Sequence, residues 1–471
     1  MGTAIIYWIR RDFRLSDNAA LTYALQSGKP VIPLFILDDV FESYGAAPKW
    51  RLGLGLEHLK KAFEKLGSKL ILRRGSAEDA LKEIIQETGA TSVVWNRLYE
   101  PAIYDRDGKI KEMLEMTGTE AQNFAGMVLF EPWTVATGGG NYYRVYTPFW
   151  KAVRSRDVAA PLDSPKQIAV PEAWPKSDAL EAWYLDRAMN RGAGVVRPYL
   201  CLGEEAAQKR LHSFIDKDVA HYHELRDVPS LAATSGLSEN LTFGEISPAQ
   251  CWHQGQRALD AKALGAETFL KELVWREFAY HLMYHTPHIL TSNWKPVWDA
   301  FPWNTDETHP HVIAWKQGRT GVPFVDAAMR ELYVSGRMHN RGRMIVASYL
   351  TKHLLCHWKI GQKWFENCLV DWDPASNAMG WQWSSGSGPD ATPYFRVFNA
   401  DTQLQKFDPK GTYIHRWIAE LSNTPTQSAQ NFFDAIPKHW KLSADMDYCE
   451  AIVNMRIGRA RALEAYQNRT F

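Results

Sequence analysis

The segment ELVWREF, from Glu272 to Phe278, sets Glu272, Trp275 and Arg276 at i, i+3 and i+4, one face of a helix. A carboxylate, a large ring and a guanidinium on one face can hold a planar polar ligand. The same residues would equally make an intrahelical Glu272–Arg276 ion pair beside a core tryptophan. In RMHNRGRM, from Arg337 to Met344, a stripe carries Asn340, Arg343 and Met344, with Arg337 and Arg341 pointing elsewhere. A solvated basic face accounts for the arginines but not for Asn340 and Met344. Trp358 follows Asn340 by 18 residues, five turns, and falls on the same side if the helix runs unbroken. TSGLSENLTFGEISP opens on Thr234 and Ser235, and hydroxyls ahead of a helix either cradle a phosphate or pyrophosphate or simply cap it. His281 and His285 of HLMYH have metal-ligand spacing but lack a zincin glutamate and a third ligand, so no metal site is expected.

The stretch DWDPASNAMGWQWSSGSGPDATPYFR, Asp371 to Arg396, gathers two acids, an asparagine and two tryptophans beside Gly, Ser and Pro. More than half of the 20 Trp fall between residues 252 and 383, and some of these build a helical core.

These segments need a scaffold. Apolar, β-rich runs at 4–9, 31–37, 69–74 and 91–96 read as strands, with helical patterns near 18–27, 50–66 and 77–88 between them. That alternation predicts a Rossmann-like, doubly wound parallel sheet over 1–130, with ligands at the C-terminal strand ends. No G-x-G-x-x-G or Walker pattern supports ordinary dinucleotide or ATP binding. Residues 131–200, rich in Gly and Pro, read as a long connection. Residues 201–471 read as an all-α unit, with long helical patterns over 266–285 and 323–359.

The chain of 471 residues is too long for one ordinary core. Lys+Arg is 54 and Asp+Glu 53, so any nucleic-acid surface must be a local basic patch. Five scattered cysteines without a C-x-x-C pair argue against zinc fingers and iron–sulfur clusters and fit reduced thiols in a cytosol. The N-terminus lacks a signal-peptide pattern and no apolar run approaches a membrane span, so a cytoplasmic protein is expected.

In order along the chain, WIRRDFRLSDNAAL, NRLYEP, YTPFWKA, TSGLS, ELVWREF, GRTGVPFVDAAMREL, RMHNRGRM, NAMGWQW and PYFRVFN closely resemble the DNA photolyases and cryptochromes. The resemblance implies a helical domain that binds FAD in a folded form, joined by a long loop to the α/β domain. It matches Tyr222 and Thr234, Ser235, Gly236, Leu237 and Ser238 to the FAD phosphates. Arg343 and Asp371 match an ion pair beside the isoalloxazine, with Arg276, Asn340, Trp372 and Asp373 among the other cofactor neighbours. Asn377 matches the residue facing flavin N5, where an amide, unlike a carboxylic acid, cannot donate a proton. Two departures stand out: Gly236 and Glu239 replace the usual Arg and Pro of the phosphate segment.

The implied activity is light-driven repair. Excited reduced FAD would donate an electron to a flipped-out cyclobutane pyrimidine dimer, split it and take the electron back. Trp275 and Trp383 would stack on the dimer, returning the energy lost on extrusion. Glu272 would hydrogen-bond the thymine edge, and Asn340, Arg341 and Met344 would complete the pocket. Arg226, Arg396, Gln403 and Lys406 match DNA-contacting positions. Trp381, Trp358 and Trp303 would carry an electron inward to oxidised flavin, with Trp303 the surface end and Trp372 an alternative route. The resemblance to bacterial class III members implies a 5,10-methenyltetrahydrofolate antenna, the alternative being 8-hydroxy-deazaflavin. A monomer acting on dimer-containing DNA without a protein partner is expected. The rival reading is a cryptochrome-type photoreceptor without repair. Trp275, Met344, Asn377 and the short stretch after the helical domain favour repair.

Overall fold

A computed structural model describes residues 4–390 and 395–469. Pro393 and Tyr394 of the PYFR motif lie outside the described residues. Five parallel strands, β1 Ile5–Ile9, β2 Val31–Leu37, β3 Ile71–Arg74, β4 Ser92–Asn96 and β5 Glu120–Phe124, form one sheet in the order β3-β2-β1-β4-β5. β1, β2 and β4 are buried throughout, which their continuous apolar runs predict for a sheet covered on both faces. The order reverses at β1, so the C-terminal ends of β1 and β4 open toward the rest of the chain. Strand β5 was not legible. Its sequence EAQNF has one buried residue, and pairing with β4, from Ser92↔Glu120 to Asn96↔Phe124, supplies what its side chains do not.

Helices Ala19–Gln26, Ala46–Lys65 and Ala77–Thr88 stand close to the expected ranges. Ser76 caps the last of them, and Gly89 ends it in the left-handed conformation. A further helix, Pro101–Met116, completes the crossover to β5; it buries Ile103, Ile110 and Leu114 along one stripe. Ile103 is therefore a core residue.

Residues 131–200 are largely irregular but contain the helix Tyr146–Val153, which buries Tyr146, Phe149, Trp150 and Val153. The 266–285 pattern is one helix, Ala266–His285. The 323–359 pattern is not. Helix Pro323–Ser335 stops at Gly336, φ 67°, and His339 caps a new helix, Asn340–Ser348. A π-helical turn, Tyr349–His353, follows, Leu355 takes φ 51°, and His357 caps helix Trp358–Cys368. Trp358 therefore does not share a helix with Asn340. Each piece is amphipathic by itself, so the hydrophobic period runs on across the breaks. Among the described residues, no helix is long and apolar enough to cross a membrane.

Candidate functional site

The acids and tryptophans of the DWDPASNAMGWQW stretch are set out by one helix, Pro374–Ser385. Asp373 caps it, accepting the Ser376 N–H at 2.8 Å, and Pro374 occupies the first turn. Asp373, Asn377 and Trp381 then stand at i, i+4 and i+8 on one stripe. Trp383, two residues beyond Trp381, points the other way: Trp381 keeps 2% of its surface exposed, whereas Trp383 is half-buried.

Beside this stripe lies a cavity with about 800 Å³ of empty space, including its open mouth. Tyr222, Ser235, Leu237, Ser238, Glu272, Arg276, Arg343, Asp371 and Asp373, all singled out from sequence, line it. Leu241, Thr242, Cys251, Phe269, Leu273 and Ser376 also line it; they are unremarkable in sequence because a wall atom needs no special chemistry. Arg343 donates to Asp371 at 2.7 Å. Tyr280 donates to Asp373, which also lies 3.9 Å from Arg11 of the sheet unit. Burial, with Glu272 nearby, pushes the Tyr222 hydroxyl up to about 12. Two buried polar atoms of the cavity wall lack a partner, Asp371 Oδ1 and Arg276 Nη2; Asn377 Oδ1, likewise buried and unpartnered, belongs to a residue that is not on the wall. Unsatisfied buried groups are costly, so an acceptor and a cationic donor here ask for a ligand with an N–H donor and a carbonyl acceptor on one edge. A flavin ring has that edge, and the Ser235 and Ser238 hydroxyls on the wall suit a phosphate chain. The residues fit FAD.

Glu272 does not pair with Arg276. Arg226, 46 residues earlier in the chain, donates to Glu272, and Arg276 turns to Glu277 at 3.1 Å. Burial pushes the Glu277 carboxyl up to about 7. Trp275, one turn from Glu272, stacks flat on Tyr146, with centroids 3.7 Å apart and planes 6° apart. The Tyr146 hydroxyl is tied to the Lys271 carbonyl at 2.6 Å. Tyr146 was missed; the signal was the aromatic YTPFW motif itself. Asn340 is exposed at the start of its helix, 4.0 Å from the Met344 sulfur. Arg341 pairs with Asp227 at 2.6 Å and lies over the Phe407 ring. Phe407 ends helix Ala400–Phe407, which carries Gln403 and exposed Lys406; Arg396 is exposed just before it. Arg226 and Arg341 thus have acidic partners already, whereas Arg396 and Lys406 reach solvent.

The two departures in TSGLS have a structural counterpart. Gly236 takes φ 61°, and its carbonyl accepts from Arg210 at 2.7 Å. Glu239 is fully buried among Arg51, Arg210 and Arg337; Arg51 also pairs with Glu245 at 2.5 Å. This carboxylate is therefore neutralised by guanidiniums from three separate segments. Thr234 is exposed and, with Gly236, is not on the cavity wall.

The Trp381 ring lies flush on Gly361 of the Trp358–Cys368 helix, where a Cβ would come 2.0 Å from it. Trp358 is three residues before Gly361 and shares its face. Beyond it, His357 bridges the rings, 5.4 Å from Trp358 and 5.1 Å from Trp303. Trp303 keeps only 8% of its surface exposed and stacks on Trp298 at 5.6 Å. Trp372 packs edge-on against Tyr44, 5.0 Å away, at the contact with the sheet unit. His281 accepts the Tyr143 N–H at 3.0 Å and is pushed down to about 4 by burial.

A family model described as DNA photolyase matches residues 5–167, and one described as the FAD binding domain of DNA photolyase matches 269–468. The chain is 44% identical over 469 residues to a deoxyribodipyrimidine photo-lyase of Agrobacterium fabrum, covering 98% of this chain and 97% of that one. It is 34% identical over 442 residues to Cryptochrome-1 of Arabidopsis thaliana, covering 90% of this chain and 64% of that one. Its fold is similar to that of a bacterial class III photolyase from Agrobacterium tumefaciens, with a TM-score of 0.91, 43% identity and coverage of 99% and 98%.

Proposed function

The chain belongs to the family of DNA photolyases and cryptochromes, and from that premise we propose that it is a light-driven repair enzyme for cyclobutane pyrimidine dimers in DNA. The observation that carries this reading is the position of Glu272. It lines the cavity that fits FAD and lies one turn from Trp275, so cofactor site and stacking wall meet at one side chain. Bound in this cavity in its reduced form, FAD supplies on excitation the electron that splits the dimer and receives it back.

The chain's own residues do the rest. Arg343 fixes the Asp371 carboxylate, whose free Oδ1 is left to accept a ring N–H. Arg276 offers its free Nη2 to a ring carbonyl. Asn377 donates to the Gln362 carbonyl at 3.1 Å, and its own carbonyl oxygen, buried and without a partner, has no proton to give. Tyr146 holds Trp275 as a rigid wall, and a stacked base is worth about 1–3 kcal/mol there. Glu272 is held by Arg226 and presents its carboxylate to the polar edge of the extruded bases. Arg396, Gln403 and Lys406 would contact the flanking phosphates, as their match to DNA-contacting positions implies. The division at 1–130, 131–200 and 201–471, a 5,10-methenyltetrahydrofolate antenna in the sheet unit, a monomeric state and a cytoplasmic setting belong to the same reading. They are supported by the resemblance to class III members.

The test is the absorption spectrum of the purified protein, followed by repair of a defined thymine dimer in light and in darkness. Flavin absorption with repair in light alone is expected. Flavin absorption without repair would replace this reading by the photoreceptor one.

A further inference from the structure

A second aromatic series starts at Asp373 on the cavity wall. Tyr280, one turn beyond Arg276 on the Ala266–His285 helix, donates its hydroxyl to Asp373 on the cavity wall. The Tyr99 ring lies 6.2 Å from Tyr280, and the Trp133 ring a further 6.2 Å beyond. Tyr280 and Tyr99 are buried; Trp133 is 43% exposed. Three rings from three separate elements thus run from the cavity to solvent.

Each phenol in the series has a carboxylate to take its proton. Tyr280 has Asp373, and Tyr99 donates to Glu131 at 2.8 Å. Arg11 donates to the Tyr280 oxygen at 3.2 Å, and Arg276 lies 4.8 Å over its ring. Two guanidiniums so placed oppose positive charge on the ring, so the ring gives up an electron only as its proton leaves. We propose that Tyr280, Tyr99 and Trp133 form a second, proton-coupled electron route into the cavity. It rests on the reading that the cavity holds FAD.

The steps balance. One electron leaves Tyr280 for the light-excited oxidised cofactor, and the phenol proton passes to Asp373. Tyr99 then returns an electron to Tyr280, which recovers its proton from Asp373, while the Tyr99 proton passes to Glu131. Trp133 returns an electron to Tyr99, whose proton comes back from Glu131. The oxidised indole loses its N–H proton to water, and a thiol in solution resets it with one electron and one proton. Burial beside these carboxylates raises both phenols well above the usual tyrosine range, so each is protonated at rest and has a proton to hand over.

The experiment uses the full-length, FAD-loaded Trp381→Phe variant under blue light with dithiothreitol, which leaves the tryptophan side closed. Bleaching of oxidised flavin is followed in water and heavy water, and radicals are trapped for electron paramagnetic resonance with ring-deuterated tyrosine. The expected result is a residual reduction that slows in heavy water, with a radical spectrum narrowed by the tyrosine label. Adding Tyr99→Phe should abolish the residual rate. Adding Glu131→Gln, which leaves both phenol rings in place, should slow it. Flavin content and melting temperature of each variant separate a lost route from a lost fold. Absence of a residual rate, or a rate unchanged by Tyr99→Phe and Glu131→Gln, overturns the route while leaving the cavity reading intact. Protein purified without any flavin overturns both.

Discussion

On the helical side of the cavity, the Trp358 N–H donates to the Asn293 amide oxygen at 2.8 Å and the Trp303 N–H to the Thr351 carbonyl at 3.2 Å. On the sheet side, Tyr280 and Tyr99 donate to the carboxylates of Asp373 and Glu131. Neutral acceptors hold an indole without drawing off its proton; a carboxylate beside a phenol takes the proton as the ring loses an electron. The difference teaches that two aromatic series near one cavity need not work alike. In the proposed reading the first would move an electron alone, and the second an electron with a proton.

The largest effect expected is that of Trp381→Phe. It removes the only indole of the first series on the Asp373–Asn377 stripe, so most of the photoreduction should vanish while repair by chemically reduced protein persists. Flash photolysis with a repair assay on the same preparation checks both. A wild-type rate would mean that the helical side is not the main route.

Gly361→Ala should come next. The added Cβ would collide with the Trp381 ring, and overpacking of this kind costs about 1–3 kcal/mol. Urea unfolding should register that loss, and photoreduction should fall with it because the ring must move. A destabilised protein with an unaltered rate would show that the Trp381–Trp358 approach is not limiting.

The two series should also separate by pH. Burial pushes His357, between Trp358 and Trp303, down to about 4, so it is neutral near pH 7, and the tryptophan-side rate should show no step between pH 6.5 and 8. His281 and His339 are likewise pushed down to about 4 by burial. A histidine whose folded value lies below its unfolded value of about 6.5 stabilises the fold fully above that value. Its contribution is lost as pH falls from there toward the folded value. Glu277 and Glu331, which burial pushes up to about 7, work in the opposite sense, and their contribution is lost as pH rises from about 4.5 through 7. The histidine contribution is therefore read as the difference in melting temperature between the protein and its His339→Gln variant, which should be flat from pH 7 to 8 and change between 6.5 and 4. A difference that changes only at alkaline pH would contradict the burial argument.

The smallest effect is that of Trp372→Phe. Trp372 packs on Tyr44 at the contact between the helices and the sheet unit, so photoreduction should be unchanged and stability only slightly lowered. A large loss of photoreduction would place Trp372 on the route after all.

Four strands were legible because β-branched apolar runs bounded by polar turns have few other uses in a soluble chain. β5 was not, because its stability comes from hydrogen bonds to β4 rather than from its own side chains. The cavity wall was legible where it carries charge, as at Asp371 and Arg343, and in the segment that holds Ser235 and Ser238. It was not at Leu241 or Phe269, whose types fit any core, nor at Thr242 or Ser376, whose hydroxyls sit inside helices like any other.

By itself the sequence determined angular relations inside single elements. Asp373, Asn377 and Trp381 share a stripe, and Trp383 faces away, because 3.6 residues per turn leaves no other choice. The tertiary structure decided every relation between elements. Glu272 pairs with Arg226 and not with its helical neighbour Arg276. Trp358 starts a new helix rather than continuing that of Asn340. Tyr146 covers Trp275, and Tyr280, Tyr99 and Trp133 line up from three segments. Helical and strand periods fix where a side chain points relative to its own backbone axis. Which axis docks against which depends on packing over the whole chain, and only there do residues far apart in sequence come within reach of one another.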